Sequence, residues 1–355
     1  MRPFDLQRGN SCQIQIPAYN RSQLYKPGGN GGHGGTRRQK GTAEGLQLIN
    51  HEPAIPGIIL KGVGGFYTVL ADQKIHTCKS RGIFRKMGII PLPGDKVEIQ
   101  QGRNGSSEGS IVSILERKNC LSRPAVANVD RVALVLCPGE PPWDLLYTDR
   151  ILASALSRGI EALLIINKVD LDQDKACESL KDIYARAGFT VFMHGHSGGE
   201  HFFDPCRQEW EMLLKDRTTT LAGQSGAGKS SLLNLLVSGL RMETGVLSMR
   251  SGRGRHTTRH AELIPLSAGG FIVDTPGFSQ LDTEDMKAQD LGSCYPEIRA
   301  LAGSCRFYGC LHETEPECIV KQAVESGWFE RGRYERYLTQ LDDIKERTRN
   351  AGYRK

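Results

Sequence analysis

Residues 221–230 read LAGQSGAGKS. The stretch fits G-x-x-x-x-G-K-[ST], with Gly223, Gly228, Lys229 and Ser230 at the defining places. It follows the apolar run TTTLA (218–222) and opens a helical pattern, SLLNLLVSGL. Strand, glycine loop and helix form the context in which this spacing holds phosphate. The glycines let backbone N–H groups converge on phosphate oxygens, and the helix N-terminus adds partial positive charge. The expected cradle is Gly223, Gln224, Ser225, Gly226, Ala227 and Gly228, continued by Lys229, Ser230 and Ser231. Lys229 is expected on the β- and γ-phosphates, and the Ser230 hydroxyl on Mg²⁺.

Two further motifs end apolar runs. VDTPG (273–277) places Asp274 to hold a water on Mg²⁺ and the Gly277 N–H to meet the γ-phosphate. NKVD (167–170) supplies Asp170, whose carboxylate can accept from N1–H and the 2-amino group of guanine. Adenine offers neither donor, so such a site rejects ATP. Asn167 and Lys168 are expected to brace the loop and flank the base. Open α/β sheets bind ligands at strand C-termini, where all three motifs fall. An ordinary GTPase runs glycine loop, Asp-x-x-Gly, then Asn-Lys-x-Asp. Here Asn167 precedes Gly223, and Asp274 comes last. A pocket needs its parts near in space, not in a fixed chain order, so the order reads as a circular permutation.

Around these motifs, apolar strands alternate with helices: RVALVLC (131–137), EALLIIN (161–167), TVFM (190–193), HAELIPL and FIVD (271–274), with helices over 144–159 and near 174–187. That alternation predicts a mostly parallel sheet covered on both faces. Before it, GIILKGVGGFYTVLAD, KIHTCKSRGIFRKM, DKVEIQQ and EGSIVSILERKN give five short strand candidates with glycine at the bends. A small barrel of OB-fold type is expected, with Lys61, Lys79, Arg81, Arg85 and Lys86 on its outer face. The expected organisation is a disordered, basic, glycine-rich arm (1–54), an OB-fold barrel (55–118) and a circularly permuted α/β P-loop G domain (119–282). A small zinc-binding C-terminal domain with a helical tail (283–355) closes the chain.

The zinc expectation rests on CRFYGCLHETEPEC. Cys305, Cys310, His312 and Cys318 follow C-x4-C-x-H-x5-C, and four such ligands suit tetrahedral structural Zn²⁺. Cys294 lies close by but is not counted as a ligand. Cys12, Cys78, Cys120, Cys137, Cys177 and Cys206 read as isolated thiols. The final stretch, RYERYLTQLDDIKERTRN, reads as an exposed helix. The net charge is +6, and it concentrates in the first 50 and last 27 residues. Basic ends on a near-neutral body suggest a polyanionic partner surface. No run approaches the ~18 apolar residues of a membrane span, and the first twenty residues lack a signal-peptide core. A cytoplasmic protein without a membrane partner is expected.

RPAVANVD (123–130), NKVDL, GQSGAGKSSLLN, GRGRHTTR (252–259), DTPGF and the Cys/His cluster, in that order, resemble the ribosome small-subunit-dependent GTPase A (RsgA) family of circularly permuted bacterial GTPases. The resemblance spans about residues 55–345. It implies an OB-fold, a permuted G domain and a zinc domain. It also implies GTP hydrolysis stimulated by the small ribosomal subunit during late maturation, with release after hydrolysis. GTP and GDP, the small subunit and its rRNA are the implied partners of a monomer. Many P-loop GTPases place a glutamine after Asp-x-x-Gly to orient the attacking water, but Phe278 stands there. His256, in the implied switch segment, is the candidate to hold that water. Thr258 is the expected switch ligand of Mg²⁺, with Thr257 the alternative. The arm at 1–54 is longer than the family leads one to expect. The loop HGHSGGEHF, after the strand TVFM, is unusual and is expected to brush the guanine through Ser197.

Two other readings compete. The chain could be an rRNA-binding OB/zinc module with an inert or merely regulatory G domain, or a permuted GTPase acting on the large subunit. The intact Asp170, Lys229, Ser230 and Asp274 argue against the first. The barrel before the G domain and the cluster after it argue against the second.

Overall fold

The computed structural model describes residues 54–102, 108–122, 124–139, 142–195, 207–240, 261–267, 269–274 and 286–352, all in the unit His51–Lys355. The expected arm, Ser197, the segment GRGRHTTR with His256, Thr257 and Thr258, and Gly277 lie outside the described residues.

The first strands are β1 (Ile55–Val63), β2 (Phe66–Ala71) and β3 (Lys74–Ser80). A short helix α1 (Gly82–Lys86) separates them from β4 (Lys96–Gln100) and β5 (Glu108–Ile114). They close a barrel in the order β1-β2-β3-β5-β4, with β3 and β5 parallel and β1 pairing back to β4. This is the OB arrangement read from the strand spacing. The β1–β2 turn is Gly64–Gly65, both at positive φ. A two-residue hairpin turn of that type needs two left-handed residues, and glycine supplies them without strain. Ile59, Val69, Cys78, Val97, Ile99 and Ile111 fill the barrel.

The first strand of the barrel is irregular. The β1–β2 register shifts between Ile59 and Lys61, a bulge at Leu60. A bulge re-aims side chains. Ile59 packs inside the barrel, whereas Leu60, 2 % exposed, belongs to the core of the neighbouring sheet.

After a small hairpin, β6 (Cys120–Ser122) and β7 (Ala125–Ala127), the α/β region begins. Its elements are β8 (Arg131–Leu136), α2 (Leu145–Ser157), β9 (Glu161–Asn167), α3 (Ala176–Arg186) and β10 (Thr190–His194). They continue with α4 (Arg207–Leu214), β11 (Thr218–Ala222), α5 (Lys229–Leu240), β12 (Glu262–Pro265) and β13 (Phe271–Asp274). Among the described residues six strands form one sheet, β10-β9-β8-β11-β13-β12, parallel except for the edge strand β12. Successive residues of a strand face opposite sides. Val132, Leu134 and Leu136 therefore join the core under α2 and α3, while Ala133 and Val135 join the core under α4 and α5. Burial on both faces explains why these strands read as unbroken apolar runs.

The last region carries α6 (Ala288–Leu291), α7 (Pro296–Ala300), α8 (Ile319–Glu325) and α9 (Arg331–Gly352). Its core holds Leu291, Tyr295, Ile298, Val320, Phe329, Tyr337, Leu341 and Ile344. The tail is thus not an exposed helix, contrary to the sequence reading. Arg333, Tyr337, Leu341 and Ile344 fall on one face of α9, spaced by three or four residues, and all are buried. The charge content misled because the charges on this face are neutralised internally. Arg333 bonds Glu297 at 2.6 Å and Asp149 of α2 at 2.6 Å, and Arg336 bonds the other Asp149 oxygen at 2.6 Å. Among the described residues no helix is long and apolar enough to cross a membrane.

Candidate nucleotide site and metal centre

Parallel strands present their C-terminal ends along one edge. β9 ends at Asn167, β11 at Ala222 and β13 at Asp274. The loop after β11 turns at Gly223 (φ +136), Gly226 (φ +86) and Gly228 (φ +89). Two of these places exclude a side chain on space as well. A Cβ at Gly223 would lie 2.2 Å from the Val135 carbonyl oxygen, and one at Gly228 would lie 2.3 Å from Asn167 Nδ2. Lys229 folds its ammonium onto the carbonyls of Gly223 (2.7 Å) and Gln224 (2.6 Å). Burial pushes its pKa below the ordinary lysine value, so it is a poorly hydrated cation already aimed at the mouth of the loop.

The NKVD motif is tied directly to this loop. Asn167 Nδ2 donates to the Ala227 carbonyl at 2.9 Å, and Lys168 Nζ donates to the Gly226 carbonyl at 2.8 Å. Lys168 adopts the left-handed conformation (φ +60) at the entry to a single 3-10 turn, Val169–Leu171, that presents Asp170. A cavity of about 640 Å³ opens between the two motifs, lined by Asn167, Lys168, Asp170, His194, Gly228 and Ser231 among others. Residues separated by about sixty positions in the chain thus share one pocket.

One contributor to this pocket, and the glycine beside it, escape a reading of the sequence alone. His194 is buried at the end of β10, with Nδ1 2.8 Å from Asn167 Oδ1. Since Asn167 Nδ2 is spent on Ala227, its Oδ1 accepts and His194 carries its proton on Nδ1. Gly195 follows, and a Cβ there would lie 2.7 Å from Val169 Cγ2 and 3.1 Å from Asp170 Oδ1. The signal is the HGHSGGEHF loop itself, whose first residue, His194, lines the pocket; Ser197 lies outside the described residues.

β13 lies beside β11, with Val273 opposite Thr220, which brings Asp274 to the same sheet edge as the glycine loop. On the other flank, the Asp144 N–H reaches Gln224 Oε1 at 3.4 Å. Asp144 caps α2 by accepting from the Tyr147 N–H at 2.9 Å.

The Cys/His cluster forms the second centre. Cys305 Sγ lies 3.9 Å from Cys318 Sγ, and Cys310 Sγ lies 3.9 Å from Cys318 Sγ. His312 Nδ1 is 3.6 Å from Cys305 Sγ and 3.4 Å from Cys318 Sγ. A tetrahedron with ordinary Zn–S and Zn–N lengths has edges of about 3.8 Å between sulfurs and about 3.5 Å from nitrogen to sulfur. All four ligand atoms lie within 4.8 Å of one another, so the donor set and its spacing fit zinc. Burial pushes the Cys310 thiol up to about 12 and holds His312 below its ordinary value. Cys294 is buried and stands apart from the cluster, and Cys78, Cys137 and Cys177 are likewise buried single thiols, whereas Cys120 is exposed.

Comparison with known proteins fits this geometry. The model of the RsgA GTPase family matches residues 114–284, and that of the RsgA N-terminal domain matches residues 56–111. A small ribosomal subunit biogenesis GTPase RsgA from Moorella thermoacetica is 42 % identical over 83 % of this chain and 99 % of its own. The chain belongs to the RsgA GTPase family. A second RsgA, from Shouchella clausii, is 41 % identical over 82 % of this chain and 98 % of its own. Among solved structures, YloQ, described as a circularly permuted GTPase, superposes with a TM-score of 0.70 at 35 % identity, covering 85 % of this chain and 99 % of that one. YjeQ from Thermotoga maritima gives 0.68 at 32 % identity, covering 82 % and 99 %. The permuted order read from the sequence thus agrees with the description of YloQ.

The contact between Gly228 and Asn167 yields a test. Gly228→Ala forces a β-carbon onto Asn167 Nδ2 and a side chain into positive φ. Backbone strain of that kind costs about 1–3 kcal/mol. Nucleotide affinity is expected to fall by about 5- to 150-fold on the strain alone. Titration with a fluorescent guanine nucleotide measures it, and an unchanged affinity would show that the loop relaxes freely.

Proposed function

We propose that the chain is a GTP-hydrolysing switch that binds the small ribosomal subunit during its late maturation and leaves after hydrolysis. One observation carries the nucleotide part of this reading: the Asn167–Ala227 and Lys168–Gly226 bonds join a guanine-reading loop to a phosphate loop in one pocket. The biological setting follows from relatives at about 40 % identity whose names state small-subunit biogenesis.

In this reading Asp170 takes the guanine N1–H and 2-amino donors. Asn167, oriented by His194, locks the base loop to the phosphate loop, and Lys168 covers the base. The N–H groups from Gly223 to Ser231 bind phosphate oxygens. Lys229 exchanges the Gly223 and Gln224 carbonyls for the β- and γ-phosphates. Ser230 and Thr258, with Thr257 the alternative, are hard oxygen ligands suited to Mg²⁺, and Asp274 holds one of its waters. When bound, that ion neutralises charge on the transferring phosphoryl group. The Gly277 N–H meets the γ-phosphate. His256 orients the attacking water in place of the glutamine that Phe278 replaces. Cys305, Cys310, His312 and Cys318 hold one structural zinc. Stimulation by the small subunit, contact with its rRNA, a monomeric state and a cytoplasmic location complete the proposal.

Asp170→Asn tests the base assignment. The carboxylate acceptor becomes an amide that also donates, which suits xanthine and opposes guanine. GTP affinity should drop on the order of 100-fold or more, because a site built to accept from the two guanine donors is heavily penalised when its acceptor is mismatched. Xanthosine triphosphate should bind in its place. Unchanged GTP affinity shows that Asp170 does not read the base. GTP turnover with purified small or large subunits tests the partner, and stimulation by the large subunit alone overturns it.

A further inference from the structure

We infer that Lys61 of the barrel and Glu262 of β12 form the link through which the barrel positions Asp274 and so governs GTP hydrolysis. The inference rests on the reading of Asp274 given above. Lys61 was expected among the outward cations of the barrel, yet its Nζ lies 3.1 Å from Glu262 Oε2, with side chains 31 % and 17 % exposed. The two residues are 201 positions apart.

Three features make this pair more than a surface ion pair. First, β12 is the edge strand, and its ladder with β13 sets Glu262 directly opposite Asp274. Opposed residues of an antiparallel pair are the closest cross-strand neighbours. A shift of Glu262 is therefore felt first at Asp274. Second, β12 begins three positions after Arg259, the last residue of GRGRHTTR. Glu262 is thus the near anchor of the chain that carries His256 and Thr258. Third, the bulge at Leu60 turns two consecutive residues of β1 away from the barrel. Leu60 enters the core that also holds Ala261 and Leu263, and Lys61 meets Glu262. The apolar contact holds the barrel to the sheet without specifying its setting along β12. The ion pair fixes that setting, because a half-buried carboxylate loses much when its partner is displaced. Barrel, anchor of the switch chain and Asp274 then have one geometry, and a force on the barrel is delivered to the hydrolytic edge of the sheet.

Single-turnover GTP hydrolysis, GTP and GDP affinity, and thermal unfolding of the full chain test the link. Lys61→Met and Glu262→Gln are each expected to slow hydrolysis about fivefold or more. Nucleotide affinities should stay within about twofold, since no residue of the pocket is touched. The double variant should be no slower than either single one, which is the mark of one shared interaction. Lys61→Arg should retain the wild-type rate. Wild-type hydrolysis in Lys61→Met overturns the link. Additive losses in the double variant overturn it too, as does a rate loss matched by an equal loss of GTP affinity. Asp274→Asn separates the layers. If that variant hydrolyses GTP at the wild-type rate, the assignment of Asp274 falls and the link with it. If it is inactive while Lys61→Met is unimpaired, the link alone falls.

Discussion

Arg333→Met is expected to destabilise the folded chain by about 3–5 kcal/mol, the range for removing one partner of a buried ion pair. Arg333 is 2 % exposed, and its guanidinium lies over the rings of Tyr184 (5.0 Å), Tyr295 (5.1 Å) and Phe189 (5.6 Å). Burial opposes its charge, but the carboxylates of Asp149 and Glu297 more than offset this, and its pKa is raised. Two guanidiniums, Arg333 and Arg336, face the two buried carboxylates of Asp149 and Glu297, so the buried part of the cluster is neutral as built. The more exposed Glu330 lies 3.9 Å from Arg336 at its rim. Methionine keeps much of the volume and removes one positive charge, leaving a net negative charge among aromatic rings. The loss should therefore exceed what packing alone predicts. Arg333→Met with Glu297→Gln restores neutrality and should recover a large part of the deficit. Urea unfolding of the wild type, the single variant and the double variant gives both numbers. A single variant within about 1 kcal/mol of wild type would mean that water reaches the cluster. The same cluster fastens α9 to α2, helped by the Arg150–Asp343 pair, and α2 touches the phosphate loop through Asp144 and Gln224.

That cluster also marks where sequence reading stops. The pocket shared by NKVD and the glycine loop was legible because its parts are short motifs whose local chemistry suggests where they meet. Gly223, Lys229 and Asp170 each announce themselves by spacing and by the strand before them. The barrel was legible through its alternation and its glycine turns, and the permutation through motif order alone. Long-range pairing leaves no such trace. Nothing in RYERYLTQLDDIKERTRN says that Arg333 meets a carboxylate 184 positions earlier. A charged residue reads as solvated unless its partner is known, so α9 read as an exposed helix and Lys61 as a free outward cation. The short helices α1 and α4 and the β6–β7 hairpin were also missed, because a few residues carry too little periodicity to be heard. His194 escaped for a related reason. Its role depends on Asn167 having already spent its amide on Ala227, a fact about three segments at once.

Removal of zinc is expected to have the larger effect of the two. The purified chain should carry about one zinc, and chelation or Cys310→Ala should unfold the C-terminal module while guanine nucleotide binding survives. The segment from Leu301 to Cys318 has neither helix nor strand, so backbone pairing does little to hold it. Its ties to α9 are few: Tyr334 Oη donates to the His312 carbonyl at 2.7 Å, Tyr337 Oη donates to the Leu311 carbonyl at 2.8 Å, and Lys345 pairs with Glu313. His312 and Glu317 hold positive φ without being glycine, a conformation that needs outside support. Structural zinc supplies about 10–16 kcal/mol in small finger peptides, far more than these contacts. The acid sensitivity has a definite sign. His312 is held below its ordinary pKa and is a neutral ligand at pH 7, whereas the Cys310 thiol, raised by burial and by its cysteine neighbours, must lose a proton to bind. Zinc affinity should therefore fall as pH falls, by up to about tenfold per pH unit for each thiol proton displaced. Metal analysis, tyrosine near-ultraviolet dichroism and protease cleavage within 302–318 report the transition. Nucleotide titration shows whether the pocket persists. A metal-free protein with native dichroism would sink the zinc assignment. Loss of nucleotide binding on chelation would instead show that α9 and α2 carry the zinc state as far as the phosphate loop.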